Sequence, residues 1–211
     1  GSKKKQKKIF DKLNLRKKYF YFGEDENIIK FFLKVFKGVK KCSKKFIFFC
    51  DQDDLINFQA IKRHETFLIK NKDYAAVRGI IYNFNYVNNK INLLGKQYNN
   101  YKDFNSFLLR HFFNSHFKSY YALRRKNDLM KIQKLINKFK LYDFRSAEFI
   151  NDLITLSSNR IKSDENEVSV IRWAGVKKRD KKNHIISQIH NNRYQWFKHF
   201  FSKEKKLVKT L

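Results

Sequence analysis

The chain has 211 residues, 48 Lys and Arg against 19 Asp and Glu, a formal charge of +29, and 42% hydrophobic content. That apolar share supports a packed core and excludes wholesale disorder, and the length fits one domain of roughly 100–200 residues with a small appendage. Lys or Asn interrupts every apolar run, so none reaches the roughly 18–20 uncharged residues that a helical membrane span requires.

In chain order, Gly1-Ser2 without a Met reads as the scar of a cleaved tag, and the segment to Lys8 as a basic tail. Lys18 to Phe22 is a short aromatic strand candidate, followed by acids at 24–26 that favour a helix N-terminus. Apolar residues 28, 32, 35 and 39 recur at helical spacing. Phe46 to Cys50 is an uninterrupted apolar run, the pattern of a central strand covered on both faces. It stops at Asp51-Gln52-Asp53-Asp54. Leu55, Phe58, Ile61 and Leu68 then mark an amphipathic helix, and Tyr74 to Tyr82 the next strand, in which Gly79 signals a close backbone approach.

The Asn- and Tyr-rich stretch 83–102 reads as a long connection, either a functional lid or a poorly ordered loop. Beyond it, Asp103 caps a helix to about Phe113, Ser119 to Leu123 is a strand candidate, and helices are expected over 127–139 and 146–158. Val168 to Trp173 reads as a strand and 184–201 as a last helix with an aromatic stripe through Tyr194, Phe197 and Phe201. Alternating strands and helices predict an α/β layered fold.

The basic excess has two readings. Lysines neutralise phosphates, but high Lys, Asn, Ile and Phe with 6 Gly and no Pro also marks an AT-biased coding sequence. A functional basic surface would have nucleic acid, anionic lipid or phosphorylated substrates as its partners. Cys42 and Cys50 lack the companions of a zinc site or disulfide framework and fit a reduced, cytoplasmic setting. The six histidines, including His111 and His116 five apart, show no zinc-helix spacing and are expected at the surface or half-buried.

Three carboxylates within four residues repel one another, and a site that holds them together usually contains a cation. At the end of a strand in an open α/β sheet they lie where ligands bind. Mg²⁺ or Mn²⁺ would favour these oxygens. A calcium EF-hand is excluded, since its Gly and Glu positions hold Ile56 and Lys62. The alternative is a plain acidic cap on the helix that follows.

The stretch from Lys45 through Asp54 resembles the strand and acidic "DxD" signature of GT-A-type glycosyltransferases, particularly the bacterial family-two-like enzymes. The helix ending Phe67-Leu68-Ile69-Lys70-Asn71, and then Asp73 to Gly79, is similar to that family's usual continuation. Likeness is clearest over 18–82 and thinner to about 175. It implies a GT-A-like open mixed sheet flanked by helices over 9–182, with 183–211 a C-terminal helix that packs on the domain or faces a membrane. The family's first strand and base-binding loop are not matched by the basic stretch Lys3 to Lys17, which implies N-terminal truncation or a natural remnant.

The resemblance further implies that Asp53 is the direct ligand of an Mg²⁺ or Mn²⁺ ion on the diphosphate of a nucleotide-sugar, that Asp51 contacts the ribose or helps hold the metal, and that Asp54 is a third acid at the metal. Glu148, with Asp152 one helical turn later in reserve, matches the base that deprotonates a glycan acceptor. Arg172 would contact phosphate and Trp173 sugar. Helix-terminus electrostatics for Glu148, and a surface cation–aromatic pair for Arg172 and Trp173, are the plainer alternatives. The expected function is sugar transfer in surface polysaccharide synthesis, cytoplasmic or peripheral to the inner face of the membrane. The rivals are a non-enzymatic basic module and a degenerate transferase-like domain.

Overall fold

A computed structural model describes residues 27–51, 54–87, 90–97, 119–139, 144–158 and 160–173. Helix α1 (Ile28–Lys41) is followed by strands β1 (Phe46–Phe48) and β2 (Leu55–Ile56), helix α2 (Phe58–Lys70), and strands β3 (Tyr74–Val87) and β4 (Lys90–Gln97). A 3₁₀ turn (Ser119–Tyr121) leads into β5 (Leu123–Arg125), then helices α3 (Lys126–Lys138) and α4 (Phe144–Ser158), and strand β6 (Arg160–Trp173). The fold is α/β, with a mixed sheet in the order β1-β5-β3-β6-β2 and β4 added to β3. Strands β3 and β6 run parallel; β5 is antiparallel to both β1 and β3, and β2 is antiparallel to β6.

Alternation along β5 assigns the two faces of the sheet. Leu123 packs with Val77 and with Leu68 of α2, whereas its neighbour Arg124 turns the other way, to Asn151 and Thr155 of α4. Behind α4 lies a helix-on-helix core of Phe32, Ile132, Ile136, Ala147 and Ile150, from α1, α3 and α4. The helix caps are chemical: Asn27 Oδ1 accepts Lys30 N–H at 3.0 Å, and Asn57 Oδ1 accepts those of Gln59 and Ala60.

The run Arg124-Arg125-Lys126 does structural work rather than forming a phosphate patch. Arg125 Nη2 donates to the carbonyls of Leu68 and Asn71 at the end of α2, at 2.6 and 3.2 Å. Lys126 Nζ donates to those of Cys42 and Lys40 at the end of α1, at 2.5 and 3.2 Å. Both cations satisfy terminal carbonyls that carry the negative end of a helix dipole.

Several expectations are corrected. The stretch from Asn83 is not a connection: β3 continues to Val87 and returns as β4, with Ile81 opposite Gln97 and Val87 opposite Lys90. Asn83 and Asn85 alternate with Phe84 and Tyr86, a strand period that the Asn content obscured. Ser119 to Tyr121 is a 3₁₀ turn and the strand begins at Leu123. β1 is three residues long and half-buried, and β5 is its one neighbour among the described residues, so the run is not a central strand there. Leu55 lies in β2, before the helix, and β6 starts at Arg160 rather than Val168. The strand expected at 18–22 and the helices at 103–113 and 184–201 lie outside the described residues. Gly79 is as expected: a Cβ there would overlap Ser169 Oγ and the Glu167 carbonyl oxygen.

Candidate functional site

Because β1 and β5 are antiparallel, with Phe48 opposite Leu123, the 3₁₀ turn before β5 sits beside the acidic turn after β1. Asp54 N–H reaches back to the Asp51 carbonyl at 3.3 Å. The side chains of both acids converge on Tyr121, whose hydroxyl donates to Asp54 Oδ2 at 2.7 Å and lies 3.0 Å from Asp51 Oδ2. A phenol has one hydrogen, so the two carboxylates compete for one donor. Asp51 is exposed and Asp54 half-buried; Asp53 lies outside the described residues.

Two further elements, and Tyr120 of the same 3₁₀ turn, reach this corner. Arg172, near the end of β6, holds its guanidinium carbon 5.6 Å from the centre of the Tyr121 ring. Tyr120 stacks at 5.3 Å on Phe49 and meets Tyr121 edge-on at 5.4 Å. Half-buried Glu148 of α4 acts electrostatically on Tyr120. The Tyr120 phenol is pushed well above its ordinary range by burial first, then by the charges of Asp51, Glu148, Cys50 and Asp54. Tyr121 is raised too, by burial and by its hydrogen bond to Asp54, against the opposing charge of Arg172. Both phenols remain neutral donors at ordinary pH.

Asp51 and Asp54 from the turn after β1, Glu148 from α4 and Arg172 from β6 thus all act on the Tyr120–Tyr121 pair. Asp152 is separate. It is 1% exposed, and its charge acts on the buried Arg124 guanidinium, which burial lowers to about 10. The side chain of Trp173 lies outside the described residues. Tyr120 and Tyr121 were missed as site residues because Ser119 to Leu123 reads as a strand, and nothing in that stretch marks the two phenols as partners of the acidic turn.

Another group also has metal-ligand chemistry. One ligand atom each from His64, Asp164 and Glu167 lies within 4.8 Å of the others. His64 is 1% exposed, which corrects the surface or half-buried expectation for this residue; the other five histidines lie outside the described residues. No helix among the described residues is long and apolar enough to cross a membrane. No protein-family model matches the chain, and a search of curated proteins returns no match.

Proposed function

We propose that the chain is a GT-A-like glycosyltransferase domain that transfers a sugar from a nucleotide-diphosphate donor to a glycan acceptor. The observation that carries this reading is the convergence of Asp51 and Asp54 on the single Tyr121 donor, with Arg172 beside it. Two anionic carboxylates around one neutral phenol leave negative charge that a hard divalent cation would neutralise. The donor set is all oxygen and suits Mg²⁺ or Mn²⁺, which Asp51 and Asp54 would hold, with Asp53, between them in sequence, as the third acid the resemblance implies. When bound, such an ion supplies charge stabilisation to the departing diphosphate.

The protein's own groups account for the remaining steps. Tyr121 gives its one proton to Asp54 with Asp51 close by, and its raised pKa keeps that proton in place. Arg172, fixed against the Tyr121 ring, offers a guanidinium to phosphate oxygens. Glu148 fits the general base better than Asp152: it is half-buried at the cluster, whereas Asp152 is enclosed beside Arg124. Donor sugar transfer to a surface glycan at the inner membrane face follows from the family resemblance.

Calorimetry with Mn²⁺ plus nucleoside diphosphates tests this reading. Metal-dependent binding of the diphosphate, lost in Asp54→Asn, is the expected result. Salt-sensitive oligonucleotide or anionic-vesicle binding that ignores Asp54, with no diphosphate binding, would instead assign a basic module.

A further inference from the structure

The geometry points to a second metal centre, independent of the acidic turn: His64, Asp164 and Glu167 form a site for one divalent transition cation of the zinc and cobalt class, at the junction of α2 and β6. The site begins with an irregularity in the sheet. Gly79 of β3 pairs with Asp164 of β6, but the next residue, Ile80, pairs with Val168, so residues 165–167 are extra. Asp164 Oδ1 accepts the Asn166 N–H at 3.2 Å and closes this excursion as a small turn. The result brings Asp164 and Glu167 to the same place.

The bulge is fastened on both sides. Asn57 N–H donates to the Ser169 carbonyl at 2.9 Å, and Asn57 Nδ2 to that of Val168 at 3.0 Å, tying the start of α2 to β6 just after the bulge. On the β3 side, Gly79 has room for no side chain because Ser169 and the Glu167 backbone fill it. His64, two turns into α2, is thereby held over the two acids.

The independent indication of a ligand is His64 itself. Both ring nitrogens are buried without a hydrogen-bond partner among the described residues, and Nε2 faces Glu167 Oε2 at 3.8 Å. That is beyond hydrogen-bond reach, yet close to the roughly 3.4 Å between neighbouring ligand atoms of a tetrahedral ion with 2.0–2.2 Å bonds. Glu167 offers Oε2 because Oε1 is taken by Arg63, whose Nε donates to it at 2.6 Å. A second cation, Lys162, keeps its ammonium 4.3 Å from the centre of the Phe67 ring.

An imidazole nitrogen with two carboxylates selects a borderline transition ion over Mg²⁺ or Ca²⁺, which prefer oxygen alone. Glu167 is shared with Arg63, so the two carboxylates offset the dication's charge in part. Burial favours the neutral imidazole, the form that ligates. Three protein ligands leave a fourth position for water, and the bound ion would cross-link α2 to the β6 bulge.

The test uses the full chain after chelator treatment and dialysis, titrated with Zn²⁺ alone by calorimetry and with Co²⁺ alone by visible absorption. One equivalent should bind, with a tetrahedral-type Co²⁺ spectrum. Affinity should fall roughly tenfold or more in both Asp164→Asn and Glu167→Gln, each confirmed folded by circular dichroism without metal, and be unchanged in Asp54→Asn. Absence of saturable binding, binding indifferent to Asp164→Asn and Glu167→Gln, or binding lost in Asp54→Asn would overturn the assignment. Because Asp54 belongs to the other cluster, failure of the transferase reading leaves this result unaffected.

Discussion

Tyr121 and Asp54 form a hydrogen bond of 2.7 Å between two residues 67 positions apart, joining the turn after β1 to the turn before β5. It is a charge-assisted bond at a partly buried position, and such bonds exceed neutral ones in strength. Tyr121→Phe keeps the ring that Arg172 covers and removes only the donor. The variant should lose about 1–2 kcal/mol of unfolding free energy, measured by urea denaturation. In a double-mutant cycle with Asp54→Asn the two should couple by about 1 kcal/mol; strict additivity would mean that the bond contributes nothing.

Tyr120 gives a pH signature. Its phenol is raised above the ordinary value of 10.0, chiefly by burial and then by surrounding negative charge. The folded state therefore holds this proton more tightly than the unfolded state. Its contribution to stability is complete below pH 10 and is lost as pH rises through the raised folded value. Urea midpoints should show a decline above about pH 10 that is reduced in Tyr120→Phe. Tyrosinate absorbance of the native chain should show this phenol ionising after the exposed ones.

The elements that the sequence made legible are those whose own residues set the pattern. Phe32 and Val39 recur on one face of α1, and Leu68 of α2 is buried where the helical period put it. The turn after β1 was legible as well, because adjacent carboxylates are costly unless something holds them. What stayed hidden depended on partners distant in sequence. Nothing around His64 announces that a bulge about a hundred residues later brings Asp164 and Glu167 beneath it. Arg124 looks like one more surface cation until α4 covers it, and the 83–97 hairpin was masked by Asn residues that sit at alternating strand positions.

Gly79 separates close approach from mere tolerance. Alanine there would overlap Ser169 Oγ and the Glu167 carbonyl, and the latter is backbone in a bulge whose next residues are tied to Asn57. The Ser169 hydroxyl could rotate away, but the Glu167 carbonyl cannot retreat without loosening the β3–β6 pairing. Gly79→Ala should therefore cost about 1–3 kcal/mol, the usual penalty of overpacking, read from urea denaturation. Gly38, in α1, has open space around its Cβ position, and Gly38→Ala should be neutral or stabilising by up to about 1 kcal/mol.

Glu148 and Asp152 lie one turn apart on α4 but should fail in different ways when neutralised. Glu148 is half-buried beside the acidic turn, and its effect there is electrostatic. In the transferase reading, Glu148→Gln lowers kcat by about 10²–10⁴, the usual contribution of a general base, while donor binding and the urea midpoint stay near their starting values. Asp152 is enclosed, and the charge of Arg124, also buried, leans on it. Asn151 and Thr155 accept hydrogen bonds from that guanidinium, but neither carries a charge. Asp128 also acts on Arg124, so losing Asp152 leaves that buried guanidinium only partly compensated, at a cost below the roughly 3–5 kcal/mol of a fully broken buried pair. Asp152→Asn should thus unfold at markedly lower urea, and Arg124→Met in the same chain should restore part of the loss. If Asp152→Asn instead proved stable and inactive, the base would be Asp152 and the assignment to Glu148 would fall.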